Sequence, residues 1–319
     1  MSRRKGQRSR APLGNKYPVP DHVSNSVGGQ LRTLSDKEKH EINDGVFHLL
    51  SEIGFEQLPE FLECFVDNKT IIKKNNRYCF GIELVERCLR SFNKDISLYQ
   101  QNQKDYLDIS NENVYCGTGG AAPLILDYEK KIYRPSLKTD LLNAARVVDK
   151  LRNLSFFSRP LVLTDISDPH LMDIYTAVIS LSATKKHVMT SVANHKTVKS
   201  LAQVCYILAG GEESFRKAPF LSLNVNFIVP PLRLDNEACE VMRESVKYGI
   251  PVMANVFGQR GASSPVSLVG SVCQTIAETL SGLLICWLLD SNSKVICGPR
   301  AMVTDLRTGG MAGGSGEQA

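Results

Sequence analysis

The stretch from residue 220 to residue 257 decides the fold: FLSLNVNFIVPPLRLDNEACEVMRESVKYGIPVMANVF. It opens with the apolar run Phe220–Val229, which stops at a proline pair and predicts a buried strand. Asn236–Tyr248 follows with apolar residues at helical spacing, and Gly249 predicts the end of that helix. Pro251–Phe257 is a second apolar run and predicts the next strand. A strand, a helix and a strand in this order are typical of parallel α/β proteins.

The same alternation continues on both sides of this stretch. Further strands are predicted at Val114–Cys116, Ala121–Leu126, Phe157–Leu163, His187–Ser191 and Lys294–Cys297, and further helices at Asp140–Leu151, Pro169–Ser182, Thr197–Ala209 and Ser264–Leu289. Repeated strand–helix units form either a (β/α)₈ barrel or a doubly wound sheet. No predicted strand is followed by a G-x-G-x-x-G turn that opens a helix, which disfavours the doubly wound sheet. The predicted fold is therefore an α/β, TIM-type (β/α)₈ barrel, incomplete at the C-terminus.

The residues before this barrel have a different pattern. Residues 1–30 are rich in Arg, Ser, Pro, Gly and Asn, which predicts a basic, flexible arm. Residues 31–113 predict an N-terminal helical and hairpin extension, with a capped helix after Ser35 and a hairpin turn at Asn75-Asn76. Residues 114–319 are assigned to the partial barrel.

The charge is concentrated in the arm, because residues 1–10 hold five basic residues and no acidic one. The other 33 basic residues equal the 33 acidic ones, and a neutral body argues against nucleic-acid binding. The nine cysteines form no C-x-x-C pair and no zinc spacing, so no metal site is predicted. No apolar run reaches the length of a membrane span, about 20 residues. These features predict a protein of the reducing cytoplasm.

Three asparagines are the predicted substrate-binding residues. Asn224 and Asn226 alternate with apolar residues of one strand, so they share one face, which points inward in a barrel. Asn255 lies near the end of the next strand. Structural hydrogen bonding is an equally open interpretation for all three. Thr118 and Asp165 also end predicted strands and are weaker candidates.

A polar stripe runs along the long helix predicted at 264–289. Its members alternate at spacings of four and three residues, which places them on one side of the helix. The stripe consists of Ser267, Ser271, Gln274, Glu278 and Ser281. We expect it to face solvent or an interface.

Several strings of the C-terminal half resemble one family. They are Gly258–Gly270 (GQRGASSPVSLVG), Ala277–Gly282 (AETLSG), Gly298-Pro299 and Asp305–Glu317 (DLRTGGMAGGSGE). As a set they resemble the trimethylamine methyltransferase family, whose members pass methyl groups to a corrinoid protein. The resemblance runs from the arm to Ala319, the N-terminal two thirds of a typical member.

The resemblance implies a TIM-type barrel with an N-terminal extension. One branch of the family has an in-frame UAG codon that is read as pyrrolysine in the active site, and the chain is expected to stop at such a codon. Glu317, next to that position, is the implied catalytic residue, which orients or protonates the special residue. An exposed loop carboxylate is the alternative interpretation of Glu317.

The implied reaction moves a methyl group from trimethylamine to the Co(I) corrinoid of a separate, cognate corrinoid protein and gives dimethylamine. The chain itself is then expected to bind no cofactor tightly and to form a homo-oligomer. One alternative is a glycine betaine or other quaternary amine methyltransferase without pyrrolysine. A second alternative is an inactive truncated fragment.

Overall fold

The structure, a computed structural model, describes residues 26–28, 32–109 and 112–314. The helices in chain order are α1 Asp36–His48, α2 Ile82–Ser91, α3 Lys138–Lys150, α4 Pro169–Ala183, α5 His195–Ala209, α6 Glu212–Lys217, α7 Asn236–Lys247 and α8 Leu268–Leu289, with a π-helical turn at Leu49–Ile53 and a 3₁₀ helix at Glu60–Phe65. The strands are β1 Ser26–Val27, β2 Ile71–Lys74, β3 Arg77–Phe80, β4 Ser97–Tyr99, β5 Tyr106–Asp108, β6 Asn113–Val114, β7 Leu124–Asp127, β8 Ile132–Pro135, β9 Phe156–Ser158, β10 His187–Thr190, β11 Leu221–Asn226, β12 Ile228–Val229, β13 Arg233–Leu234, β14 Val252–Arg260 and β15 Val295–Val303.

A parallel sheet with the strand order β15-β14-β11-β10-β9 forms the centre of the fold. Consecutive strands are neighbours, and a helix connects each strand to the next, as in a barrel. The predicted α/β, partial TIM-type barrel is thereby confirmed. The strand predicted over Phe157–Leu163 is shorter than expected, because Pro160 has no N–H to donate to the ladder. An isolated parallel bridge between Ala122 and Leu161 continues the pairing beyond it.

The helix α8 lies against β14 and β15 and is mostly buried. It begins later than predicted, since the Ser267 hydroxyl rather than Ser264 caps it and accepts from the Gly270 N–H at 3.3 Å. Gly282 allows the close approach to the sheet: a Cβ there would lie 2.5 Å from Phe227 Cζ. Within the described residues, α8 alone is long and apolar enough to cross a membrane, and 67% of its most apolar window is buried inside the fold.

The expectation that the α8 polar stripe faces solvent or an interface is wrong for most of its length. Ser271, Gln274, Glu278 and Ser281 are buried. The Glu278 Oε1 atom accepts from the Leu232 N–H at 2.8 Å and from Gln274 Nε2 at 3.0 Å. Burial raises the pKa of the Glu278 carboxyl to about 7, against the opposing effect of these two hydrogen bonds. The stripe holds the loop after β12 onto α8.

The N-terminal elements pack on the outer side of this helix. The capping box at Ser35 and Glu38 starts α1 as predicted, and α1 packs on α8, where Cys273 Sγ lies 3.7 Å from the Ile42 carbonyl oxygen. The β2–β3 hairpin is also confirmed, because Asn75 and Asn76 both have positive φ, as a type I′ turn needs. Ser26–Val27 pairs with Asn113–Val114, while residues 1–25, 29 and 30 of the predicted arm lie outside the described residues. The three-part division of the chain stays a prediction.

Candidate functional site

A cavity of about 600 Å³ lies over the carboxyl half of the parallel sheet. Side chains from all five strands line it, together with the loop 117–121 and residues 98, 109, 113 and 115 of the preceding segment. In barrels of parallel strands this end carries the active site. The lining combines apolar and aromatic groups with a few polar ones, which is typical of a small-molecule site.

The three predicted asparagines all line this cavity. Asn226 of β11 is paired with Asn255 of β14. Asn224 lies two residues before Asn226, so both side chains are on the same face of β11. The Nδ2 atom of Asn224 donates to Ser158 Oγ at 3.3 Å, and the Oδ1 atom of Asn224 takes no part in this bond. The Oδ1 atoms of Asn224 and Asn255 are buried and have no hydrogen-bond partner among the described residues. Unpaired buried acceptors are costly, so these two atoms mark a place that a ligand can satisfy.

Glycine makes room for Asn255 on the next strand. Gly298 of β15 is paired with Asn255, and a Cβ at Gly298 would lie 2.3 Å from Asn255 Oδ1. A side chain there would displace the amide, because no real Cβ contact is that short. The Gly298-Pro299 string therefore has a steric role at the cavity.

The loop 117–121 forms a second wall of the cavity and is tied to β9. Thr118 Oγ1 donates to the Ser158 carbonyl at 2.6 Å and accepts from the Ser158 N–H at 3.0 Å. Gly117 lies against the Phe156 ring, where a Cβ would be 2.2 Å from Cε2. Thr118 thus lines the cavity but uses its hydroxyl to fix the loop.

Two arginines supply the charge of the cavity lining. Arg159 directly follows β9, and its N–H donates to the Met189 carbonyl at 3.0 Å. Arg300 of β15 lies over the Phe257 ring, 5.1 Å from its centroid. Within the described part of the chain, no Asp or Glu lines the cavity and neither guanidinium makes an ion pair within 4 Å. The described lining is therefore positively charged.

Asp173 is an acidic residue that interacts electrostatically with Arg159. Burial lowers the pKa of the Arg159 guanidinium and raises the pKa of the Asp173 carboxyl, and the attraction between the two opposes both changes. Asp173 Oδ2 accepts instead from the Ala193 N–H at 2.7 Å, and Asp173 does not line the cavity. Arginine stays protonated in proteins, so the Arg159 charge faces the cavity without a close counter-ion among the described residues.

Asp165 and Glu317 are the two remaining candidates. Asp165 is not at the cavity; it accepts from the Lys138 N–H at 3.2 Å and pairs with Lys138 Nζ at 3.7 Å. Glu317 lies outside the described residues, so its catalytic role stays a prediction. Across residues 26–28, 32–109 and 112–314, no group of three His, Cys, Asp or Glu side chains is placed to hold a metal ion.

The sequence profile of the family described as trimethylamine methyltransferase (MTTB) matches residues 2–319. The chain belongs to this family. The trimethylamine methyltransferase MttB of Desulfitobacterium hafniense is 28% identical over 292 residues, 89% of this chain and 58% of the relative. That of Methanosarcina barkeri is 28% identical over 303 residues, 91% of this chain and 60% of the relative. A glycine betaine methyltransferase of Desulfitobacterium hafniense is 24% identical, over 90% of this chain and 59% of its own length.

Among solved structures, the hydroxylamine complex of MtmB has a similar fold. The TM-score is 0.51 at 10% identity, over 85% of this chain and 54% of that chain. At this identity the likeness supports the fold and nothing further. The chain spans about three fifths of the length of the curated relatives that it matches.

The sequence analysis of this chain did not identify Arg159 and Arg300 as cavity residues. Arg159 directly follows the strand Phe156–Ser158, and a charged residue at the carboxyl end of a barrel strand points to function. The overlong strand prediction hid that signal, because it placed Arg159 inside a strand. Arg300 directly follows the Gly298-Pro299 string, and no spacing in the sequence marks it as a cavity residue.

Proposed function

We propose that this protein is a methyltransferase that takes a methyl group from a small methylated amine and passes it to a corrinoid protein. The observation that supports this most is the cavity itself. In a chain of the trimethylamine methyltransferase family, it lies at the carboxyl ends of parallel strands and presents two unpaired asparagine oxygens.

The asparagine oxygens suit the donor end of such a substrate. The methyl groups of an alkylated ammonium carry part of its positive charge and attract carbonyl oxygens. Asn224 Oδ1 and Asn255 Oδ1 are fixed on neighbouring strands, so they would hold the nitrogen in one place. Aromatic faces favour cations, and Phe156 lines the same cavity. The chain's contribution is therefore orientation of the donor, the main requirement of an in-line transfer.

The acceptor is a Co(I) corrinoid carried by a separate protein, which supplies the nucleophile that receives the methyl carbon. The C–N bond breaks, and the nitrogen keeps its electron pair. A quaternary donor leaves as a neutral tertiary amine, whereas protonated trimethylamine leaves as dimethylamine. For the carbon to be reached, the corrinoid partner must dock over the open, carboxyl end of the sheet.

Trimethylamine with dimethylamine as product remains the predicted reaction, and a quaternary amine remains the alternative. Both kinds of donor occur in the names of the relatives. The pyrrolysine branch and the role of Glu317 are further predictions. Sequencing the codon after Ala319 tests the branch: UAG with a continuing frame supports it, and a sense codon contradicts it.

The activity is tested with the full gene product and a corrinoid protein reduced to Co(I). Trimethylamine and glycine betaine are added separately, and loss of the Co(I) absorption is followed with chromatography of the demethylated amine. Methyl transfer from either donor, lost in Asn255→Ala and kept in the surface variant Asn292→Ala, supports the proposal. Absence of transfer from both donors contradicts it.

A further inference from the structure

Ser158 connects the loop wall of the cavity to one of its two unpaired asparagine oxygens. It is the last residue of β9 and lines the cavity between Thr118 of the loop 117–121 and Asn224 of β11. Its backbone carbonyl and N–H bond to Thr118 Oγ1, at 2.6 and 3.0 Å. Its side-chain hydroxyl accepts from Asn224 Nδ2 at 3.3 Å. Ser158 therefore joins the position of the loop to the position of the Asn224 amide.

The contact between Ser158 and Asn224 follows from the tilt of barrel strands. Ser158 is paired with Met189 of β10, and Met189 is paired with Ser222 of β11, so Asn224 lies two residues beyond the strand-to-strand register. In a (β/α)₈ barrel the strands are tilted, with an offset of about one residue per strand, and alternate strands supply each interior layer of side chains. Since β9 and β11 are alternate strands, Ser158 and Asn224 belong to the same layer.

The bond to Ser158 determines which end of the Asn224 amide is free. An amide group has a donor end, Nδ2, and an acceptor end, Oδ1. Because Nδ2 donates to Ser158 Oγ, the buried Oδ1 atom is the end without a partner among the described residues. A half-turn of the amide would exchange the two ends and offer N–H groups, which repel a cation. The held orientation is the one that suits a methylated ammonium.

Thr118 restrains the residue that holds this amide. The segment before β7 is paired with the β9 segment through isolated parallel bridges, Gly117 with Phe156 and Ala122 with Leu161. Between these two bridges, the Thr118 hydroxyl takes both backbone groups of Ser158, as a neighbouring strand would. Thr118 thereby limits the movement of the Ser158 hydroxyl relative to β11.

We propose that Ser158 is a positioning residue of the methyl donor site: its hydroxyl holds the Asn224 amide with Oδ1 free for the methylated nitrogen, and Thr118 fixes Ser158 in place. This inference rests on the proposed function, because it concerns donor binding in that same cavity. Ser158 and Thr118 act on the donor through Asn224 and need no contact with it.

The first test is a double-mutant cycle on the full gene product, with trimethylamine and tetramethylammonium as probes in titration calorimetry. Ser158→Ala removes the partner of Asn224 and should weaken probe binding about three- to tenfold, the effect of one hydrogen bond. In an Asn224→Ala background, the same substitution should change probe affinity less than about twofold. Equal losses in the two backgrounds, or no loss in Ser158→Ala alone, overturn the inference.

Conservative and control variants separate positioning from general stability. Ser158→Thr keeps the hydroxyl and should bind the probes within about twofold of the unaltered protein. Ser222→Ala is the matched control, because Ser222 is buried on the same face of β11, bonds His187 Nε2 at 3.0 Å and does not line the cavity. It should change probe affinity less than about twofold. A loss in Ser222→Ala as large as that in Ser158→Ala contradicts a specific role for Ser158.

A third pair of variants tests the restraint by Thr118. Thr118→Val keeps the shape of the side chain and removes both bonds to Ser158, so it should weaken probe binding about two- to fivefold. This loss should disappear in the Asn224→Ala background, and Thr118→Ser should restore binding to within about twofold. Unchanged affinity in Thr118→Val, or a loss that persists without the Asn224 amide, contradicts the role of Thr118.

The two proposals fail in different ways. Methyl transfer to the corrinoid protein with unchanged probe affinity in Ser158→Ala leaves the proposed function standing and overturns the positioning role. Probe binding that depends on Ser158 through Asn224, without methyl transfer from any donor, supports the positioning role and overturns the proposed function. Absence of binding of both probes to the unaltered protein contradicts both.

Discussion

Buried polar side chains have different surroundings on the two faces of the central sheet. On the helix side, most of the buried polar atoms of the α8 stripe have partners inside the protein: Gln274 Nε2 donates to the Ser263 carbonyl and to Glu278 Oε1. Glu278 Oε2 is buried without a partner among the described residues. On the cavity side, the oxygens of Asn224 and Asn255 are left without partners among the described residues. Satisfied polar groups stabilise a fold, and unsatisfied ones beside an open cavity are kept at a cost. The asparagine oxygens face a cavity that can admit a ligand, whereas Glu278 is enclosed between α8 and the loop after β12. This difference separates a functional polar cluster from a structural one.

The largest effect is expected for Asn255→Ala on the cavity side. Loss of one contact to a charged ligand should reduce kcat/KM for the methyl donor about 30- to 100-fold. The melting temperature should stay equal or rise, because the substitution removes an unsatisfied acceptor. A parallel loss of activity and melting temperature would place Asn255 in the structural group instead.

On the helix side, Gln274→Leu should show the opposite pattern. It removes two hydrogen bonds of 3.0 Å, which should lower the free energy of unfolding by about 1–3 kcal/mol. Donor affinity, measured by calorimetry, should change less than about twofold if the stripe does not act on the cavity. A selective loss of donor affinity at full stability would break the distinction between the two faces.

A pair of glycine substitutions sharpens the comparison, since both add one methyl group near β14. The methyl group added in Gly298→Ala would displace Asn255 Oδ1. Because that atom is expected to contact the donor, the variant should lower donor affinity about tenfold. Gly282→Ala pushes on Phe227 and Ala254 across the helix interface and should cost about 1–3 kcal/mol of stability. Equal profiles of affinity and melting temperature for the two variants would contradict the account.

The smallest expected effect is a pH dependence that belongs to Glu278. Its pKa in the folded state is about 7, above the usual 4.5, so the folded protein holds an extra proton between these values. Stability from this group is full below pH 4.5 and falls as the pH rises to about 7.

Buried His187 has the opposite effect on the pH dependence of stability. Burial lowers its pKa to about 4, so the stability that this group contributes is lost as the pH falls from 6.5 toward 4. The difference in melting temperature between Glu278→Gln and the unaltered protein isolates Glu278. That difference should shift in favour of the variant by about 2–4 °C from pH 5 to pH 8. A constant difference would mean that Glu278 does not titrate there.

The sequence predicted much of the fold and part of the cavity for clear reasons. Period-2 alternation around Asn224 and Asn226 places them on the inward face of a strand, and the structure puts them there. Periodicity also placed the α8 stripe on one side of its helix, but it does not say what that side contacts. The burial of Glu278 depends on Leu232, which lies 46 positions away in sequence. The role of Gly298 likewise depends on its pairing with Asn255, which only the sheet register reveals.

The most direct test of the central claim is a pair of crystal structures of the full gene product, one with trimethylamine and one with glycine betaine. We expect the bound donor in the cavity, with its methylated nitrogen beside Asn224 Oδ1 and Asn255 Oδ1. Donors bound outside this cavity, or bound in it with the methylated nitrogen away from both asparagine oxygens, would contradict the central claim.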